Sequence, residues 1–253
     1  MSAAVSRSVV AIGSGKGGVG KSTVALHLAL ALRRRGAAVG LLDADLYGPD
    51  IPLMVNLTRE EHASRWDFWR KGDLQLEPIE REGILIMSAG FLIAERQALT
   101  LQAPLLTAAL RQLVEHVDWG EIDVLFVDLP PGTADLQQQL LEVVPLDGAI
   151  VVVGPQDVAH LDARKFVDFL KSSNVPVLGA IENMRGLLCP HCGKRIEVFH
   201  PVREERSVWR DGVELLGTIP LEPVSAGKLE WQTGAFDAIA VRVADRLDRS
   251  GAG

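Results

Sequence analysis

Gly13-Ser14-Gly15-Lys16-Gly17-Gly18-Val19-Gly20-Lys21-Ser22-Thr23 is the stretch that decides the fold. Gly15 is followed by four residues and then by Gly20-Lys21-Ser22, which is the spacing of a phosphate-binding loop. Glycines allow positive φ and bring backbone N–H groups against phosphate oxygens. Lys21 puts a point charge at the terminal phosphates, and Ser22 offers a hydroxyl to a magnesium ion. Residues 9–12, Val-Val-Ala-Ile, read as a buried strand, and residues 23–35 carry the apolar spacing of a helix. In that strand-loop-helix context a bound anion sits at a helix N-terminus. Binding of ATP or GTP is therefore expected, with Gly15, Lys16, Gly17, Gly18, Val19, Gly20, Lys21, Ser22 and Thr23 as the contacting residues.

Outward from the loop, apolar runs alternate with amphipathic stretches almost to the end of the chain. Strands are expected at 9–12, 39–42, 84–87, 124–127, 149–153, 177–181 and 215–219, and a closing helix at 236–249. This pattern predicts an α/β fold, a mainly parallel sheet flanked by helices on both faces, as one domain over residues 1–253. Two excursions interrupt it: residues 57–80, with Trp66 and Trp69, and residues 185–210, with both cysteines.

Acidic residues follow two of the apolar runs. Asp43 and Asp45 lie just past residues 39–42, on the sheet edge where α/β proteins bind ligands, and strand alternation would point both the same way. Phosphoryl transfer is mostly positioning and charge neutralisation, so one acid near the attacking water and another near the ion or Lys21 suits it. Two acids at a strand end also suit a loop start or helix cap. Asp128 follows residues 124–127 and leads into Leu129-Pro130-Pro131-Gly132-Thr133. It reads as the carboxylate that holds magnesium through water, and the stiff turn after it as a switch sensing the terminal phosphate.

At 253 residues, 47% of them hydrophobic, the chain is long enough for one large α/β domain. A net charge of −7 argues against a nucleic-acid partner. No apolar run is long enough to span a bilayer, and the first seven residues lack a signal-peptide core. Arg242, Arg246 and Arg249 in the closing helix are balanced by Asp237, Asp245 and Asp248, unlike a membrane-surface helix. A cytoplasmic protein with no membrane partner is the expectation. Both cysteines fall in Cys189-Pro190-His191-Cys192, which in a reducing compartment suggests metal or redox chemistry before a disulfide.

Lys16 is an extra cation in the loop, and beside Lys21 it is repelled unless a polyphosphate neutralises both. Its side chain either points to solvent or reaches a nucleotide held by a second chain. With this lysine the loop resembles the deviant-Walker ATPases, which include the nitrogenase iron protein, MinD and the plasmid-partition ATPases. That resemblance implies that Lys16 crosses a dimer interface and acts with Lys21, Asp45 and Asp128 in catalysis, Asp45 helping to position the attacking water.

A narrower resemblance covers nearly the whole chain. The segments Asp43-Ala44-Asp45-Leu46-Tyr47-Gly48-Pro49-Asp50-Ile51-Pro52, Asp128-Leu129-Pro130-Pro131-Gly132-Thr133, Ile181-Glu182-Asn183-Met184 and Cys189-Pro190-His191-Cys192-Gly193 are similar to the Mrp/ApbC family of iron-sulfur cluster carrier ATPases. The resemblance implies a homodimer in which Cys189 and Cys192 of each chain hold one bridging 4Fe-4S cluster, delivered to apoproteins in an ATP-dependent way. It also implies that Asn183 contacts the adenine and that Asp43 belongs to the nucleotide site.

Two thiolates do not complete a four-sulfur shell, so further ligands come from elsewhere, and only a second copy supplies more cysteine. Zinc on Cys189, Cys192 and an imidazole such as His200 is a competing reading, and a redox Cys-x-x-Cys is a third. A positioning or partition ATPase explains Lys16, Asp45 and Asp128 equally well but gives the cysteines no use. The chain departs from the family at residues 101–105, where Arg-Gly-Pro-Met is usual, and at 199–206, where a glycine-rich stretch is usual. An additional small N-terminal domain carried by many relatives is also not found.

Overall fold

The computed structural model describes residues 8–45, 48–57, 76–91, 111, 113–130, 134–189, 191–221 and 233–250. Strand β1 (Ser8–Gly13) leads through the phosphate loop into helix α1 (Lys21–Arg34), which begins two residues before the expected start and so takes Lys21 into its first turn. There follow β2 (Val39–Asp43), α2 (Ile51–Met54), β3 (Ile79–Arg81), β4 (Ile84–Ser88) and β5 (Val124–Asp128). The second half comprises α3 (Ala134–Val143), β6 (Gly148–Val153), α4 (Asp157–Ser172), β7 (Val177–Leu188), β8 (Arg195–Ile196), β9 (Leu215–Leu221) and α5 (Thr233–Ser250).

The strands form one sheet in the order β3-β4-β2-β5-β1-β6-β7-β8, with β9 also paired to β7. Every pairing is parallel except β3 on β4 and β8 on β7. Those two short antiparallel strands were not among the expected ones. Both come from the excursions, whose polar residues carry no strand alternation.

Both faces of the sheet are covered, and strand alternation assigns residues to each. Val10, Ile12, Leu41, Phe126, Ile150 and Val152 pack with α1 and with Phe236, Ile239 and Val243 of α5. Val9, Ala11, Leu125, Val127, Val151 and Val153 pack on the opposite side with Leu140 of α3 and with Ala163, Phe166 and Leu170 of α4. Burial on two faces explains why these strands read as continuous apolar runs.

Register sets the site. Ile12 of β1 and Asp43 of β2 both pair with Asp128 of β5, so the loop and two acids leave the sheet at the same edge. The backbone ladder continues past the strand ends, with Leu129 N–H donating to Ile12 O at 3.0 Å and Ala44 N–H to Asp128 O at 3.0 Å. β7 runs seven residues beyond the expected end at residue 181, carrying the chain from the ligand edge to the first cysteine. Trp66, Trp69 and residues 101–105 lie outside the described residues.

Phe126 is fully buried between the sheet and α1. Phe126→Ala should lower stability by about 3–5 kcal/mol, read as a fall in the urea midpoint; an unchanged midpoint would contradict this packing.

Candidate functional site

The loop is shaped by close approaches that only glycine permits. Gly15 lies against α4, where an added Cβ would stand 2.0 Å from the Asp162 carbonyl oxygen. Gly20 holds φ at 81° directly before α1, and a Cβ there would meet Asn183 Nδ2 at 2.4 Å. No side chain caps the α1 N-terminus, so its first-turn N–H groups remain available to an anion. Asn183, at the ligand edge of β7, is buried and donates from Nδ2 to Val19 O at 2.8 Å. Its amide braces the loop from behind.

A cleft of about 250 Å³ opens over the loop. Lys16, Gly17, Gly18, Gly20, Lys21, Ser22, Thr23 and Asp45 line it, as their sequence positions suggest. Ser14, Asp50, Met54 and Met184 line it as well and were not singled out from the sequence. Asp50 and Met54 arrive through α2, whose start has a legible signal in Asp50-Ile51-Pro52, proline in the first turn. Gly15, Val19 and Asn183 stand behind the lining rather than in it.

The two lysines occupy different environments. Lys16 is exposed at the loop crest, whereas Lys21 is buried and its Nζ donates to Asp128 Oδ1 at 2.6 Å and lies 3.4 Å from Ser22 Oγ. Asp128 is fully buried, and its other oxygen, Oδ2, has no hydrogen-bond partner among the described residues. An orphaned buried carboxylate oxygen next to the Ser22 hydroxyl fits a magnesium ion held through water. Burial raises the Asp128 pKa and Lys21 opposes the rise.

Asp43 and Asp45 do not share one role. The Asp43 carboxylate accepts from Asp45 N–H at 3.2 Å, Ser88 Oγ at 2.9 Å and Ile51 N–H at 3.4 Å, tying β2 to β4 and α2. It is fully buried beneath the cleft. Strand alternation stops at Asp43 because β2 ends there, so only Asp45 turns into the cleft, its Oδ1 accepting from Gly48 N–H at 3.1 Å. Burial, then the neighbouring Asp128 charge, pushes the Asp43 pKa up to about 8 against the pull of the Ser88 hydrogen bond. The turn after Asp128 is anchored by Gln137 Nε2 donating to Pro130 O at 2.9 Å; residues 131–133, the expected switch, lie outside the described residues.

Cys189 and Cys192 stand in the hairpin joining β7 to β8, Cys189 half-buried and Cys192 exposed. Cys189 N–H donates to Lys194 O at 2.9 Å, and Gly193 N–H to Cys189 O at 2.8 Å. Backbone N–H groups of His191 and Cys192 donate to the Cys189 sulfur and hold its pKa below the ordinary thiol value. Among the described residues no third His, Cys, Asp or Glu joins the pair in a metal-holding group. His200 is exposed and does not stand with the two cysteines as such a group in this structure.

The segment after the cysteines docks on α4. Asp157 accepts from Arg203 N–H at 3.0 Å and Arg206 Nη1 at 2.9 Å, and Arg164 forks onto Asp211 at 2.6 and 3.1 Å. Buried Val208 completes the contact. No spacing rule links residues so far apart, and the sequence reading missed these ion pairs. Among the described residues no helix is long and apolar enough to cross a membrane.

Comparisons with known proteins agree with this geometry. Residues 5–240 match the family model described as ParA, NUBPL iron-transfer P-loop NTPase. The chain is 42% identical over 216 residues to the iron-sulfur cluster carrier protein of Pseudomonas fragi, covering 85% of this chain and 73% of that one. It superposes on a nucleotide-binding protein from Archaeoglobus fulgidus, in complex with ADP and with Co found in it, at TM-score 0.68 and 31% identity over 92% of this chain and 87% of that one. The septum site-determining protein MinD from Pyrococcus horikoshii, complexed with Mg-ADP, superposes at TM-score 0.66 with 21% identity, covering 96% and 98% of the two chains, and shows the fold alone. The match over residues 5–240, with the two-lysine loop and the parallel sheet, places the chain in the NUBPL iron-transfer P-loop NTPase family.

Proposed function

We propose that this protein is an ATP-dependent iron-sulfur cluster carrier, a homodimer that holds a bridging 4Fe-4S cluster and transfers it to apoprotein clients in the cytoplasm. One observation carries the reading: the cysteine pair of the hairpin, with Cys189 held toward thiolate by backbone N–H groups, continues the strand whose Asn183 braces the phosphate loop. The chain has two cysteines, so four-thiolate ligation of a cluster takes two copies. The similarity to a curated iron-sulfur cluster carrier supports the same cargo. A partition or positioning ATPase leaves the hairpin without a purpose.

In this reading the loop N–H groups and the α1 N-terminus bind the phosphates of ATP. Lys21 follows the charge on the terminal phosphate, and exposed Lys16 reaches the nucleotide of the partner chain. Ser22 and Asp128 would hold a magnesium ion, which would supply positive charge at the phosphates. Asp45, turned into the cleft, orients the attacking water, while Asp43 fixes Asp45 and α2 from below. An adenine contact from Asn183 requires its buried amide, which donates to Val19 O, to turn from the loop to the base.

Lys21→Ala should abolish ATP binding in equilibrium titration, whereas Lys16→Ala should keep binding and lose about a hundredfold or more in hydrolysis rate. Equal turnover in Lys16→Ala would remove the cross-chain role. Anaerobic reconstitution with iron and sulfide should give one cluster per two chains, with its visible absorbance lost in Cys189→Ala and Cys192→Ala; absorbance retained in both variants would sink the carrier function. A pH effect follows from Asp43, whose native pKa of about 8 lies above its unfolded value. The native state then binds the extra proton, so the stability this gives is full in acid and declines as pH rises from about 4 toward 8. In metal-free, nucleotide-free protein the urea midpoint should fall over that range, with a shallower slope in Asp43→Asn.

A further inference from the structure

One unbroken segment of β7 joins the nucleotide loop to the cysteine hairpin. Asn183 donates to Val19 O of the loop at 2.8 Å, and Cys189 follows directly after the end of the strand at Leu188. Six residues of extended chain span at most about 20 Å. The strand is kinked on the way: Met184 holds φ at 61°, Gly186 at 71°, and the pairing with β9 shifts register between Asn183 and Leu187. A non-glycine residue in the left-handed region persists only where its surroundings over-determine it.

Those surroundings are a chain of polar contacts that the nucleotide and cysteine sites do not use. Glu182, almost fully buried, accepts from Arg185 Nη1 at 2.8 Å across the kink. On its other side His160 of α4, fully buried, brings Nε2 to 3.6 Å from Glu182 Oε1. His160 Nδ1 accepts from Val208 N–H at 3.3 Å, which leaves the ring proton on Nε2, facing the carboxylate. Arg185 continues outward, its Nε 3.8 Å from Glu197 Oε2, while Arg195 Nε lies 3.0 Å from Glu197 Oε1 and Arg195 Nη2 donates to Arg185 O at 3.0 Å. Arg195 belongs to β8, the return strand of the cysteine hairpin. Burial alone would lift the Glu182 pKa, yet the nearby His160 ring and the hydrogen bond from Arg185 bring it below its ordinary value, so the carboxylate is an ionised anchor. The exposed end of the chain contributes little by itself, whereas a buried charge forces its partners to stay in place.

We propose that Glu182 and Arg185 are positioning residues that make β7 from Asn183 to Cys189 a stiff lever, so that a nucleotide-driven shift of Val19 reaches the Cys189 thiol. This rests on the reading of the cysteine pair as the cargo site and assigns how nucleotide regulates it. A merely structural role for the two residues would alter stability or thiol reactivity equally with and without nucleotide. Coupling makes the difference between the two conditions depend on them.

The test is iodoacetamide alkylation of Cys189 in the full, reduced, metal-free chain, followed by peptide mass spectrometry, with and without saturating magnesium and a non-hydrolysable ATP analogue. The wild-type rate should change about fivefold or more with nucleotide. In Arg185→Ala and Glu182→Gln the ratio should fall to near one, with nucleotide still bound, and Arg185→Lys should restore part of it because the ammonium still meets Glu182. Arg185 is only half-buried, so Arg185→Ala keeps the test decisive if Glu182→Gln unfolds. A wild-type ratio of one, or a full ratio retained in Arg185→Ala, overturns the lever. Failure of iron and sulfide reconstitution beside a normal alkylation result would instead overturn the cargo and leave the lever standing.

Discussion

A buried contact between Lys21 Nζ and Asp128 Oδ1, at 2.6 Å, is the constraint from which the rest of the site follows. Either charge left alone in that interior would be strongly destabilising, so the strands that carry them must bring them together. β1 delivers Lys21 through the loop and the first turn of α1, and β5 delivers Asp128 in register with Ile12. Asp43 follows in the same register on β2, where burial and the Asp128 charge favour its protonated form and Ser88, Ile51 and Asp45 all donate to it. Those donors fix α2 and turn Asp45 upward. The position of Asp45 is thus a consequence of how its buried neighbour is satisfied.

The same physics decides what a sequence reading reaches. Strands at the centre of a sheet covered on both faces must be apolar on both, and the runs at 9–12, 124–127 and 149–153 lie inside β1, β5 and β6 with little change. The loop was legible because each glycine answers a backbone demand, and the helix after it because its apolar face has the right period. By contrast, Asn183-Met184-Arg185-Gly186 looks like the end of a strand. It continues as β7 only because β9 and β8 pair with it and because Glu182 and Arg185 clasp across the bend. Such support is tertiary and leaves no local pattern. The different directions of Asp43 and Asp45 were hidden for a related reason: alternation applies within a strand, and β2 stops at the first of the two acids.

The cysteine hairpin combines loose and tight attachments. Its tip is exposed, and it holds the Cys189 sulfur with backbone N–H groups. Around it, Arg185 and Arg195 are engaged with Glu182 and Glu197. Hydrogen bonds from the backbone favour thiolate and tune a bound cluster. The frame behind the tip is firm, with Asp157 and Arg164 of α4 gripping the segment that follows the cysteines. Because Gly15 of the phosphate loop packs on the same helix, and His160 of that helix faces Glu182 of β7, α4 and β7 form one connected frame behind the phosphate loop. The Asp157 and Arg164 pairs are only part-buried, so the grip on the segment after the cysteines rests less on desolvated charge than does the Glu182 anchor behind them.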